Sequence, residues 1–156
     1  MRIHILAIGQ KMPAWVTTGY EEYTKRLPKD YCPQLKELPA GQRSKSSDPK
    51  RAMAEEAQRL LQALPKDCHV IALDEHGKNW DTKQLAENMG NWSHEGRDVA
   101  LLIGGADGLS AEVKQRANQL WSLSALTLPH ALVRVVLAEQ LYRGWSLLTN
   151  HPYHRA

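Results

Sequence analysis

Phenylalanine is missing from this 156-residue chain, and cysteine occurs only twice, far apart, at Cys32 and Cys68. No C-x-x-C pair is present, which excludes a zinc ribbon or a thioredoxin-type motif. Free buried thiols in a cytosolic protein are the simpler reading than a disulfide. No apolar run approaches the ~20 residues of a membrane span. The N-terminal MRIHILAIGQKMP lacks a basic leader and a small-residue cleavage site, so it reads as a first strand rather than a signal peptide. Neither G-x-G-x-x-G nor G-x-x-x-x-G-K-[ST] occurs, which disfavours a pyrophosphate or triphosphate cradle. There is no internal repeat and no low-complexity tract.

What is present fits one soluble domain spanning residues 1–156, with a core large enough to fold alone. The net charge of +3 is unevenly spread. Residues 1–66 hold 12 Lys and Arg against 7 Asp and Glu, and the remainder holds 8 against 10. A basic first half is compatible with a polyanionic partner. On charge alone, a solvated surface is the plainer explanation.

Apolar periodicity predicts strands at Arg2–Ile8, Gln34–Leu38, His69–Leu73 and Val99–Ile103. Helices are expected at Pro13–Arg26, from Pro49 to about Leu64 with Asp48 as its cap, at Asp81–Trp92, at Leu109–Gln119 with Ser110 as its cap, and at Ala131–Leu148. Residues 40–51, AGQRSKSSDPKR, read as a mobile basic loop. Strands alternating with helices of this length indicate an α/β domain with a mainly parallel sheet flanked by helices. Ligands of such sheets bind beyond the carboxyl ends of the strands, here Leu73-Asp74, Ile103-Gly104-Gly105 and Thr127-Leu128-Pro129.

Three segments stand out. IGGADGLS, from Ile103 to Ser110, has glycines that let backbone N–H groups approach a ligand. A tight strand-to-helix turn explains the same pattern equally well. SLSALTLPH, from Ser122 to His130, places hydroxyls among leucines, ahead of a proline that biases the backbone towards extended geometry. It suits main-chain contacts to a polar ring, although an edge strand with wet hydroxyls is the simpler reading. The tail NHPYHR, from Asn150 to Arg155, offers two histidines, a tyrosine and an arginine, with no acid after Glu139. These side chains can stack on a base, hold a phosphate and move a proton. With no carboxylate or thiolate beside His151 and His154, a metal site is disfavoured. Glu139 and Arg143 are spaced to pair on a helix, which is the plain alternative to Arg143 facing an anion. Tyr142 and Trp145 are candidates for a dimer face.

LLIGGADGLS, WSLSALTLPHALVRVVLAEQLYRGWSLLTNHPYHR, GQKMPAWV and PAGQRSK together resemble the ribosomal RNA large subunit methyltransferase H family of the SPOUT superfamily. The resemblance runs from the first strand to the last residue. It implies a SPOUT-type trefoil-knotted fold, one of the exceptions to the rule against knots. It implies S-adenosyl-L-methionine as cofactor and methylation of N3 of a pseudouridine in large-subunit (23S) ribosomal RNA, on the assembled 70S ribosome in the cytoplasm. A homodimer is implied, without metal or membrane. Cofactor contacts are expected from Leu73, Gly104, Gly105, Leu123, Ser124, Ala125, Leu126, Thr127 and Leu128. His154, His130, Arg143 and Tyr153 are the expected catalytic residues. Arg43, Lys45, Lys50, Arg51 and Arg155 are the expected RNA contacts. The alternatives are a SPOUT methyltransferase acting on another RNA, such as transfer RNA, and a non-catalytic RNA-binding factor.

Overall fold

Five segments pair as a parallel sheet, apolar in its three central strands and more polar at its two edges: β1 (Ile3–Ile8), β2 (Gln34–Leu38), β3 (His69–Asn79), β4 (Val99–Ile103) and β5 (Gln119–Ser122). The computed structural model describes residues 1–44 and 48–155. The sheet order is β2-β1-β4-β3-β5, so β1, β4 and β3 are central and β2 and β5 are edges. The helices are α1 (Ala14–Thr24), α2 (Pro49–Ala63), α3 (Thr82–Glu95), α4 (Ala111–Arg116) and α5 (His130–Leu148), and a 3-10 turn at Pro152–Arg155 follows.

Side chains of a strand alternate between faces, and here both faces are apolar, as a sheet covered on both sides requires. Ile3, Ile5, Ala7, Ile71, Leu101 and Ile103 meet the inner stripes of α1, α3 and α5. Leu6, Ile8, Val70, Ala72, Ala100 and Leu102 meet α2 and α4. Each such Ile, Leu or Val withdrawn from water stabilises the fold by roughly 1.5–3 kcal/mol.

Local chemistry sets the helix starts. Asp48 accepts the Lys50 N–H at 2.9 Å, with Pro49 as the first helical residue. Asp81 and Gln84 form a reciprocal capping box at the start of α3, and Gly96 ends that helix at φ +78°. Ser110 caps α4.

Three expectations need correction. β3 does not stop at Leu73: it resumes pairing with β5 at Lys78 after a register shift that leaves 74–77 unpaired. Gly77 makes this possible, because a Cβ there would sit 2.6 Å from the Leu120 carbonyl carbon. Helix α4 ends at Arg116, because Gln119 already belongs to β5. The SLSALTL segment is a strand only as far as Ser122. Its hydroxyls bond to neighbouring main chain, Ser122 Oγ to the Ser124 carbonyl at 2.8 Å and the Leu126 N–H to Ser124 Oγ at 2.9 Å. These local bonds bend the chain where a strand ladder would have kept it extended.

Candidate active site

β3, β4 and β5 run in the same direction, so their carboxyl ends open on one side of the sheet. A cleft of about 850 Å³ lies there. One wall is the turn after β4. Gly104 packs so closely on Gly108 that a Cβ would stand 2.6 Å from the Gly108 carbonyl carbon, and Gly108 itself takes φ +78°. The opposite wall is the bent segment after β5, with Leu123, Ser124, Leu126, Thr127 and Leu128 lining the cleft. Leu126 is 74% exposed, although its side chain is apolar. His130, the first residue of α5, closes one end, and its Nδ1 is buried without a hydrogen-bond partner. The indole Nε1 of Trp121, which also lines the cleft, is in the same state.

The unpaired part of β3 adds charge at the mouth. Asp74 accepts from Lys114 Nζ at 3.3 Å, and Glu75 accepts from the Thr127 hydroxyl at 3.2 Å. The second contact ties the bulge to the leucine-rich wall. Sequence reasoning stopped at Leu73-Asp74 and missed this feature. Its signal was Gly77 inside a strand-like run.

The other expected catalytic residues lie elsewhere. From His130 to Arg143 the helix advances about 20 Å. Arg143, Tyr153 and His154 therefore cluster at the far end of α5, and none of them lines the cleft of its own chain. There the tail folds back as a 3-10 turn on an aromatic shelf. Tyr153 meets Tyr142 with ring centroids 4.5 Å apart, and His151 meets Trp145 at 5.5 Å. Tyr142 is thus covered by its own tail and offers no free face to a partner, while Trp145 stays half-buried.

Glu139 organises this cluster. Its Oε1 accepts from Arg143 Nε and from the Tyr153 hydroxyl, each at 2.9 Å. The Arg143 guanidinium also lies over the Tyr153 ring, 4.9 Å from its centre. The hydrogen bond to Glu139 raises the Arg143 pKa further, and burial followed by the same carboxylate pushes the Tyr153 phenol up to about 12. His154 Nδ1 stands 3.4 Å from Ser146 Oγ. The Glu139–Arg143 pair expected from spacing is present, but Tyr153 makes it a triad.

Leu73, Gly104, Gly105, Leu123, Ser124, Leu126, Thr127 and Leu128 are brought together around the cleft, whereas Ala125 does not line it. Among the residues expected at RNA, Lys50 and Arg51 are exposed on the first turn of α2. Lys45 and the side chain of Arg155 lie outside the described residues. Arg43 is engaged within the chain, donating to Glu56 and to Asp107.

An open parallel sheet whose large cleft combines a glycine turn with a leucine-rich loop defines an α/β protein built around an organic ligand. A family model described as "Predicted SPOUT methyltransferase" matches residues 1–154. The chain belongs to the SPOUT methyltransferases, in the family of the ribosomal RNA large subunit methyltransferase H proteins. The protein of that name from Thioalkalivibrio sulfidiphilus is 54% identical over 155 residues, covering 99% of each chain. The one from Methylococcus capsulatus is 51% identical, covering 99% of this chain and all of its own. The solved structure of a "probable methylase family protein" from Haemophilus influenzae Rd KW20 shares the fold with a TM-score of 0.59 at 15% identity, covering 97% of this chain and 69% of its own. Among the described residues no helix is long and apolar enough to cross a membrane. No three His, Cys, Asp or Glu residues among them group as metal ligands.

Proposed function

We propose that this protein transfers a methyl group from S-adenosyl-L-methionine to N3 of a pseudouridine in large-subunit (23S) ribosomal RNA, with the assembled 70S ribosome as substrate and the cytoplasm as its place of work. The observation that carries this reading is the cleft at the carboxyl ends of β3 and β4, walled by the Gly104 turn and by 123–128. Large-subunit ribosomal RNA is the target named by both curated relatives. The strand order, with β3 between β4 and β5, supports the trefoil knot of the family.

The residues present suit the cofactor. The cleft is within the range of small-ligand sites, about 300–1,000 Å³. Leu123, Leu126 and Leu128 provide apolar cover for an adenine ring. The main chain of Leu73, Gly104, Gly105 and 123–128, Ala125 included, provides hydrogen bonds. The unsatisfied Trp121 Nε1 and His130 Nδ1 each lack a polar partner that such a ligand supplies. The bound cofactor contributes an electrophilic methyl on a sulfonium, open to in-line displacement.

The chain's own groups must then align the base and remove a proton. The imide N3–H of pseudouridine lies between two carbonyls, and its nitrogen reacts well only as the anion. Arg143 stabilises that anion or an adjacent phosphate, and Tyr153 stacks or donates a hydrogen bond. His154 on the tail and His130 in the cleft are the two candidate proton acceptors, a role worth about 10²–10⁴-fold. Because the tail lies far from its own cleft, a homodimer follows from this reading: the Arg143–Tyr153–His154 cluster of one copy completes the cleft of the other. Lys50, Arg51, Lys45 and Arg155 hold RNA phosphates, so ribosome binding weakens as salt rises.

Mass spectrometry of 23S ribosomal RNA from cells lacking the protein tests the assignment, and loss of a single methylated pseudouridine is expected. Labelled methyl donor offered with ribosomes, free ribosomal RNA and transfer RNA should mark the ribosomes. Label confined to transfer RNA would move the substrate. Calorimetry with S-adenosylmethionine that showed no saturable heat would leave only a binding factor.

A further inference from the structure

Glu56 is a carboxylate at 2% exposure on α2, in a chain whose other acids lie mostly at the surface. It stands directly beneath the glycine turn. A Cβ on Gly105 would come within 3.3 Å of both its oxygens. A buried carboxylate is costly unless it is paired and hydrogen-bonded, and Glu56 is both. It accepts the Gly41 N–H at 2.8 Å, and Arg43 donates to its two oxygens from Nη1 at 2.7 Å and Nη2 at 3.2 Å. The same guanidinium donates from Nε to Asp107 Oδ2 at 3.0 Å, on the glycine turn itself. It also donates to the Gly41 carbonyl at 3.3 Å.

These contacts join the loop after β2 and helix α2, which follow one another in the chain, to the turn after β4, which lies far from both in sequence. The loop crosses α2 at backbone contact, since a Cβ on Gly41 would lie 2.2 Å from the Ala52 carbonyl oxygen. Arg43 itself stands outside the cleft, whereas Gly105 and Asp107 line it. The planar fork of an arginine spans two carboxylates in a fixed geometry, which a lysine cannot reproduce.

We propose that Arg43, anchored on buried Glu56 and reaching Asp107, is a positioning residue that fixes the glycine wall of the cofactor cleft. It acts on cofactor affinity through that turn, and it is not one of the phosphate contacts of the basic loop. The proposal rests on the cleft being the S-adenosylmethionine site.

Calorimetry with S-adenosylmethionine on the purified full chain separates the possibilities, using Arg43→Gln, Asp107→Asn and the double variant. Asp107 is partly exposed, so its isosteric amide spares the fold even if a change at Glu56 would not. Arg43→Gln is expected to weaken cofactor binding by about three- to thirtyfold. The double variant should bind within about twofold of Arg43→Gln alone, because both changes break the same link. Arg43→Lys should recover part of the loss. At saturating cofactor, the KM for ribosomes should match wild type. Unchanged cofactor affinity in Arg43→Gln, additive losses in the double variant, or a change confined to the ribosome KM would each overturn the proposal. Wild-type protein that bound no cofactor would instead overturn the reading of the cleft.

Discussion

Tyr153 donates its phenolic hydrogen to Glu139 Oε1 over 2.9 Å, tying the C-terminal tail to the middle of α5. The same oxygen receives Arg143. A single carboxylate thus fixes two of the side chains proposed to meet the substrate base.

Glu139→Gln should loosen both. An amide accepts more weakly and carries no charge, so Arg143 and Tyr153 lose their common anchor. The expected outcome is a fall in single-turnover methylation of about tenfold, ~1.4 kcal/mol of barrier. Cofactor affinity should stay at the wild-type value by calorimetry, since the cluster lines no part of the cleft of its own chain and, in the proposed dimer, meets the substrate base and not the cofactor. A matching loss of cofactor affinity would contradict the separation of the two regions.

The raised pKa of Tyr153 fixes its protonation. Burial, and next the Glu139 contact, hold the phenol neutral until about pH 12. It is therefore a donor, not a base, throughout the neutral range. Methylation should rise with pH as the imide ionises, and Tyr153→Phe should lower the rate while keeping that rise. Rates measured from about pH 6 to 9 check this, a window in which histidine also titrates. A flat profile in the variant would assign the proton transfer to Tyr153.

Gly77→Ala should open the seam between β3 and β5. The new methyl would overlap the backbone at Leu120 and Trp121, at 2.6 and 2.7 Å, where nothing flexible can yield. Overpacking of this kind costs typically about 1–3 kcal/mol. At about 2–4 °C per kcal/mol for a chain of this size, thermal unfolding should start roughly 2–12 °C lower. An unchanged midpoint would mean the bulge relaxes.

Legibility in the sequence followed the reach of the interactions. The strands β1, β2 and β4, the capped helix α2 and the length of α5 were readable because periodicity and capping act over a few residues. Asp48, Pro49 and Ser110 occupy the positions their chemistry predicts. The second half of β3 was not readable, because its pairing depends on β5 and on a glycine meeting a backbone some forty residues later. The pattern around Ser122 and Ser124 predicts an extended run, but their hydroxyls bond locally and bend it. Arg43 sits in a basic loop and is expected at RNA, since nothing near it in sequence announces that Glu56 is buried or that Asp107 lies within reach. The strand-end rule for parallel sheets reaches Leu73, Gly104, Gly105, Thr127 and Leu128, whereas Leu123, Ser124 and Leu126 are expected at the cofactor only from the family likeness.

Mixing two inactive variants tests whether the tail serves a partner. Gly104→Val should block the cleft, and Arg143→Ala should disable the tail. In a randomly reassorted two-fold dimer, half the molecules are mixed, and each mixed dimer has one intact pairing. Activity near a quarter of wild type, about 25% by that counting, is expected after the two are unfolded and refolded together. No recovery would place cleft and tail in the same chain.

Helix α5 works as a rigid spacer whose two ends carry different duties, His130 at one and Arg143 at the other. A rod of this kind has no slack. Adding or deleting one residue between them would turn the far end by about 100° and slide it by about 1.5 Å, carrying Arg143 and the docked tail with it. Length changes of the kind that exposed connecting loops absorb would, within this helix, put the two halves of the machinery out of phase.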